Sequence, residues 1–171
     1  MKLLQRFFPD RTFESPFACG AAVLQEQGIR GVILDIDNTL VSPNAPADDR
    51  ACQWIASLQE EGISCFILSN NSEQRAASFA AEVNCAFKAR ARKPRPDGFL
   101  AAVSILGTAP DETVVLGDQL ITGVLGAHRA GLKAWWVNPL DPAREQPFVR
   151  VKRLLEKPIF AIYRKQHRKN S

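Results

Sequence analysis

The chain has 171 residues, 46% hydrophobic and 23% charged, enough for one domain with its own core and unlike a disordered, collagenous or coiled-coil polypeptide. No apolar run reaches the roughly 18 residues needed to span a bilayer, and the opening MKLLQRFFPD is too briefly apolar for a secretory signal, so the protein is expected to stay in the cytoplasm. Net charge is +4, yet residues 148–171 hold eight Lys or Arg against Glu156 alone, a surplus of +7 that leaves the first 147 residues at −3.

In chain order, the first apolar run is GVILDI at 31–36, read as a strand that ends in acidic residues. DDRACQWIASLQEEG follows, with Ala51, Trp54, Ile55 and Leu58 on one helical stripe and Gly62 as its stop. A second strand is expected at 63–68 (ISCFIL). SEQRAASFAAEV is then a helix capped by Ser72, and a third strand lies at 84–88 (NCAFK). RPDGFLAAVSILG reads as a helix before a strand at 113–117 (TVVLG), and LITGVLGAHRAG as another before a strand at 133–137 (KAWWV); both helices close on glycine. Strands alternating with helices predict an α/β fold: a three-layer, Rossmann-like parallel sheet of about five strands with helices on both faces. The proline-bearing VNPLDPAREQPF marks an exit, dividing a core at 1–147 from a basic amphipathic tail at 148–171, where Pro158 is expected to break or kink any helix.

Cys19, Cys52, Cys65 and Cys85 are too scattered for a zinc site and are expected to be reduced thiols, while His128 and His167 offer no partner for a nucleophilic Ser or Cys. Acidic and polar groups instead gather where strands end, the edge at which open α/β sheets bind ligands. Asp35 and Asp37 follow the first strand, Ser69-Asn70-Asn71 the second, Lys93 the third and Asp118 the fourth. Each alone is an ordinary cap or loop residue. Two carboxylates, a hydroxyl, a lysine and a third carboxylate in this order are what phosphoryl chemistry needs.

DIDNTLV, LSNN, RKP and GDQLIT resemble, in order, the four motifs of the haloacid dehalogenase superfamily, and their wording is similar to its capless YqeG subfamily, related to phosphatidylglycerophosphate phosphatases. The resemblance spans residues 5–155. It implies a phosphatase in which Asp35 is the nucleophile that becomes an aspartyl-phosphate, and Asp37, which must begin protonated, is the general acid and then base. It implies Mg2+ held by Asp35, the Asp37 backbone carbonyl and Asp118, with Ser69 bonding a phosphate oxygen, Lys93 offsetting charge, and Thr39 and Asn70 holding the loops. One departure stands out: GDQLITG places Gly123 where the subfamily pattern has an acid.

Residues 40–68 and 72–92 leave no room for a cap domain, so the site is expected to be open and to suit a phosphate carried on something large. The tail interleaves Phe148, Val151, Leu155, Ile159 and Ile162 with Arg150, Lys152, Arg153, Lys157, Arg164 and Lys165. It reads either as a peripheral anchor on anionic phospholipid at the inner face of a membrane or as a helix packed on the sheet. Nucleic acid ranks lower, since no aromatic platform accompanies the charge. The expected activity is dephosphorylation of phosphatidylglycerophosphate. A phosphoprotein, a soluble sugar or nucleotide phosphate, or a binding protein weakened in catalysis at Gly123, are the alternatives.

Overall fold

The computed structural model describes residues 2–167, with the side chain of Lys2 left out. Six parallel strands form one sheet: β1 Arg11–Phe13, β2 Gly31–Leu34, β3 Ser64–Leu68, β4 Ala86–Lys88, β5 Thr113–Gly117 and β6 Lys133–Val137, in the order β1-β6-β5-β2-β3-β4. The helices are α1 Lys2–Gln5, α2 Ala21–Glu26, α3 Asp49–Glu60, α4 Glu73–Glu82, α5 Asp97–Leu106, α6 Leu125–Arg129 and α7 Pro147–His167. The α/β architecture is the one expected, with one strand more. That strand, β1, pairs with β6 at the sheet's edge, Arg11 opposite Trp135. Only Phe13 of its three residues is apolar, so no hydrophobic run announces it.

Alternation along the strands divides the core. Val32, Leu34, Cys65, Ile67, Val114 and Leu116 pack on one face with Trp54, Ile55, Leu58 and Phe79 from α3 and α4. Ile33, Phe66, Leu68, Val115 and Ala134 pack on the other with Phe99, Ala102 and Ala127 from α5 and α6. Because both faces are covered, β2 is buried along its whole length, which is why its sequence is continuously apolar. Caps fix where α3 and α4 begin: Asp48 accepts from the Ala51 amide at 2.8 Å, and Ser72 from the Arg75 amide at 3.3 Å.

Strand β2 is where the order turns, since the chain proceeds from it to β3 and β4 on one side and then crosses to β5 and β6 on the other, where the earlier β1 closes the edge. The crevice at the β2–β5 boundary is therefore the natural ligand edge. Two departures shape it. Strand β2 stops at Leu34, two residues short of expectation, which frees Asp35 from the ladder except for its amide bond to the Leu116 carbonyl at 3.3 Å. The segment expected to be one helix at 120–131 opens as a π-helical turn, Leu120–Val124, before α6; the Val124 amide reaches back to the Gln119 carbonyl at 3.2 Å.

Pro158 does not end α7, which runs from Pro147 to His167 around it. The ring forfeits one bond to the Leu154 carbonyl. Contacts on either side hold the helix: Glu156 is buried, Phe160 packs on Trp136 with ring centroids 4.3 Å apart, and Tyr163 meets Phe8 edge-on at 5.6 Å. His128 is half-buried, bonded to the Arg6 carbonyl at 2.8 Å and to Asp10 at 3.1 Å, and so pins the N-terminal segment.

Candidate active site

Asp35 begins the loop after β2. Its Oδ1 accepts from the Ile36 amide at 3.0 Å and its Oδ2 meets Lys93 Nζ at 2.8 Å. Lys93 is nearly buried and also donates to the Leu68 carbonyl at 2.8 Å, so its ammonium is fixed between the ends of β2 and β3. Asn70 holds the Lys93 backbone at both ends: Asn70 Oδ1 accepts from the Lys93 amide at 2.8 Å, and Asn70 Nδ2 donates to the Lys93 carbonyl at 3.3 Å. Ser69 is buried at the end of β3, its hydroxyl oxygen accepting from the Asn71 amide at 3.1 Å, which leaves the hydroxyl proton free to be donated.

Asp37 receives three donors. Its Oδ1 accepts from the Asn44 amide and from Arg75, both at 3.0 Å, and its Oδ2 from Asn71 Nδ2 at 2.5 Å. Asp35, Asp37, Ser69, Asn70 and Lys93 all line one cleft of about 120 Å³ at the carboxyl edge of the sheet. Its outer wall includes Phe148, Val149 and Lys152 of α7.

Thr39 and Asp118 stand behind this cleft, both with no exposed surface. Thr39 donates its hydroxyl to Asp118 Oδ1 at 2.9 Å. Burial pushes the Asp118 carboxyl up to about 6, with Arg153 pulling against that rise and the nearby Asp35 charge adding to it. The Asp118 carbonyl accepts from Trp136 Nε1 and from Arg153, each at 2.8 Å.

Arg153, from the middle of α7, is a site residue to which sequence reading gives no role, counting it only among the cations of a segment read either as a membrane anchor or as a helix packed on the sheet. Its guanidinium also bonds Asp118 Oδ2, and its Nε donates to Glu145 at 2.8 Å. Burial disfavours its charge, and the paired carboxylates outweigh that and raise its pKa further. Glu145 in turn accepts from Asn38 Nδ2 at 2.6 Å, and Asn38 Oδ1 accepts from the Asp141 amide at 2.7 Å. Asn38 sits at φ 62°, a left-handed conformation that Asn tolerates, and so turns the chain between Asp37 and Thr39. Glu145, Asn38 and Arg75 had no local signature: each earns its place by a partner far along the chain.

The donors expected to hold a cation are hard oxygens, as Mg2+ requires. Asp35 and Asp118 lie at the ends of neighbouring strands, close enough to feel each other's charge, and the Asp37 carbonyl is not spent on a hydrogen bond among the described residues. No group of three or more His, Cys, Asp or Glu side chains suited to a metal occurs among the described residues. The oxygens present, two carboxylates and a carbonyl, suit a cation only once Arg153 gives up Asp118 Oδ2, its remaining positions being left to water and substrate. Gly123 adds no ligand. A Cβ there would meet nothing within 4 Å, so packing does not demand glycine at this position.

Residues 43–131 match the haloacid dehalogenase-like hydrolase family. The chain is 37% identical over 169 residues to the probable phosphatase YqeG of Bacillus subtilis (strain 168), covering 96% of this chain and 97% of that protein. Among solved structures it is similar in fold to a HAD family hydrolase from Deinococcus radiodurans R1 with bound phosphate and sodium, with a TM-score of 0.55 at 16% identity over 64% of this chain and 81% of that one. It is likewise similar to NagD from E. coli K-12, with a TM-score of 0.53 at 17% identity over 70% and 93%. A parallel sheet whose β2, β3 and β5 ends carry Asp35, Asp37, Ser69 and Asp118, with Lys93 bonded to Asp35, and near full-length likeness to a curated relative lead to one conclusion: the chain belongs to the haloacid dehalogenase-like hydrolase family.

Proposed function

We propose that this haloacid dehalogenase-type phosphatase removes the terminal phosphate of phosphatidylglycerophosphate, yielding phosphatidylglycerol, while resting on the inner face of a membrane. The observation that carries the lipid reading is the orientation of α7. Its inward stripe holds Lys152, Arg153, Glu156 and Tyr163, whereas Phe148, Val151, Leu154 and Leu155 point outward, each at least 57% exposed. An apolar stripe turned to solvent beside exposed Arg150 and Lys157 suits a lipid surface with anionic headgroups. The stripe starts at the mouth of the cleft, so a small cleft can take the phosphate while the rest of the molecule stays outside. In this reading residues 148–171 are the peripheral part and 1–147 the catalytic core. No helix among the described residues is long and apolar enough to cross a membrane.

Asp37 accepts from Arg75, Asn71 and the Asn44 amide in this arrangement, so it must release Arg75 and take up a proton before it can act; the Asp35 carboxylate then attacks phosphorus, the bond from phosphorus to the ester oxygen breaks, and the departing alkoxide takes that proton. A water then attacks the aspartyl-phosphate, gives its proton to Asp37 and releases inorganic phosphate. Lys93 lies on Asp35 and offsets charge as the two anions approach, and the Ser69 hydroxyl donates to a phosphoryl oxygen. Thr39 and Asn70 are supports, acting through Asp118 and Lys93. Phosphatases of this family typically use Mg2+; here Asp35, the Asp37 carbonyl and Asp118 would hold it, and it would supply further positive charge at the phosphoryl oxygens.

The test is phosphate release from phosphatidylglycerophosphate in mixed micelles with Mg2+, beside a panel of soluble sugar and nucleotide phosphates and phosphopeptides. Release from the lipid that Asp35→Asn abolishes is the expected result. Undiminished turnover by Asp35→Asn sinks the mechanism, and turnover confined to the soluble panel sinks the lipid assignment. Gly123 favours a second reading, a binding protein weakened in catalysis, which wins if the folded protein binds anionic vesicles but hydrolyses nothing and Gly123→Asp awakens activity.

A further inference from the structure

Arg153 has no part in the phosphatase scheme above, yet it occupies the carboxylate that scheme reserves for a cation. Asp118 is wholly buried and has two oxygens to offer. Oδ1 is taken by the Thr39 hydroxyl and Oδ2 by the Arg153 guanidinium. A divalent ion placed on the same oxygen as a guanidinium, at a carboxylate with no exposed surface, is repelled by it.

The guanidinium has other partners at hand. Its Nε remains bonded to Glu145 at 2.8 Å, and Glu156 Oε2 lies 3.8 Å from the nearer terminal nitrogen. Three acids, Asp118, Glu145 and Glu156, surround this single base, and all three are buried. Added positive charge at Asp118 would balance the cluster, and Arg153 can give way without losing its own pairing.

We infer that Arg153 is a resident stand-in for the cation: it neutralises Asp118 until a divalent ion enters, then withdraws from Oδ2 onto Glu145 and Glu156, so that helix α7 and the ion draw on one carboxylate. This rests on the phosphatase reading for the position of the ion and goes beyond it in making α7 responsive to ion occupancy. The movement is also felt at the nucleophile loop, because Glu145 is the partner of Asn38, next to Asp37.

The test uses the full chain with Mn2+ alone. Binding is followed by electron paramagnetic resonance, and amide hydrogen exchange of residues 147–167 is compared with and without the ion. The expected result is binding accompanied by several-fold faster exchange around residues 150–157, and about tenfold tighter Mn2+ binding by Arg153→Gln, with circular dichroism establishing that the variant is folded. Ion binding with unchanged or slower exchange in α7 overturns the inference and leaves the phosphatase reading standing. Equal or weaker binding by a folded Arg153→Gln also overturns it. Absence of binding by both folded proteins removes the cation site itself, and both readings of Asp118 fall together.

Discussion

Gly126 and Gly123 lie three residues apart in the segment after β5, both buried, and the structure gives them opposite tolerances. A Cβ at Gly126 would stand 2.5 Å from Phe99 Cε2, 2.7 Å from Phe99 Cζ and 3.3 Å from Pro94 Cα. Ordinary carbon contacts begin near 3.4 Å, so the ring must retreat by about 0.9 Å. Phe99 is fully buried among Leu68, Ala91 and Ala102, and the small cavity beside it, about 10 Å³, cannot take a displaced ring. Overpacking of this kind costs about 1–3 kcal/mol. Replacing glycine by alanine in a helix returns up to about 1 kcal/mol. The overlap wins, and Gly126→Ala should destabilise by about 1–2 kcal/mol, or roughly 2–8 °C in Tm for a chain of this size. Pro94 follows Lys93, so pressure on it is passed to the ammonium that pairs with Asp35, and phosphate release should fall as well. Gly123→Ala, with nothing within 4 Å of its Cβ, should be neutral or slightly stabilising. Urea unfolding of the three proteins, with phosphate release measured alongside, checks both. A Gly126→Ala protein as stable as wild type, or a Gly123→Ala protein that loses more, would refute the packing argument.

Thr39→Val removes the hydroxyl from a fully buried carboxylate while keeping the shape, and should cost about 1.5–3 kcal/mol in chemical denaturation and lower activity; a loss under about 0.5 kcal/mol would show that Asp118 does not need this donor. Val151→Ser with Leu155→Ser, both on the outward stripe of α7, should weaken binding to anionic vesicles in a sedimentation assay while leaving thermal unfolding unchanged. These substitutions isolate the surface better than removing residues 148–171, which would also strip Arg153 from Asp118. The Asp10 bond raises the pKa of His128, and the Asp10 carboxyl is itself lowered, burial pushing it up but the bonds from His128 and the Ala134 amide prevailing. The histidine's share of stability is therefore complete below its unfolded pKa of about 6.5 and is lost as pH rises through its higher folded value, whereas the aspartate's is lost only as pH falls below about 4. Stability measured from pH 6 to 8 should decline more in wild type than in Asp10→Asn, and parallel curves would remove the pair from the account.

Much of the sheet could be read from the chain because β2, β3, β5 and β6 are covered on both faces, and full burial writes itself as consecutive apolar residues. Strand β1 could not, since an edge strand of three residues with Arg11 and Thr12 exposed looks like any polar loop. The cleft residues were legible for a different reason: Asp35 and Ser69 stand where apolar runs end, at positions where polarity is costly unless used, while Lys93, within RARKPRP, was legible only through its place in the ordered set of motifs. Arg153 shows the limit of such reading. Its neighbours make it one cation of a basic amphipathic tail, and only folding brings it 35 residues back to Asp118. Pro158 failed as a helix terminator because the bonds of Arg153 and Glu156 before it and the packing of Phe160 and Tyr163 after it compensate one missing hydrogen bond.

The pairing of Thr12 with Trp136 has a consequence for how the chain is made. As the chain leaves the ribosome, β1 has no strand to dock on until β6 has emerged, so it must wait while β2 to β5 are made. Phe7, Phe8 and Phe13 are meanwhile uncovered, and this stretch is where a nascent chain would engage a chaperone or an adjacent copy of itself. Closing the sheet at that margin then depends on β6, and joins two strands that lie far apart along the chain.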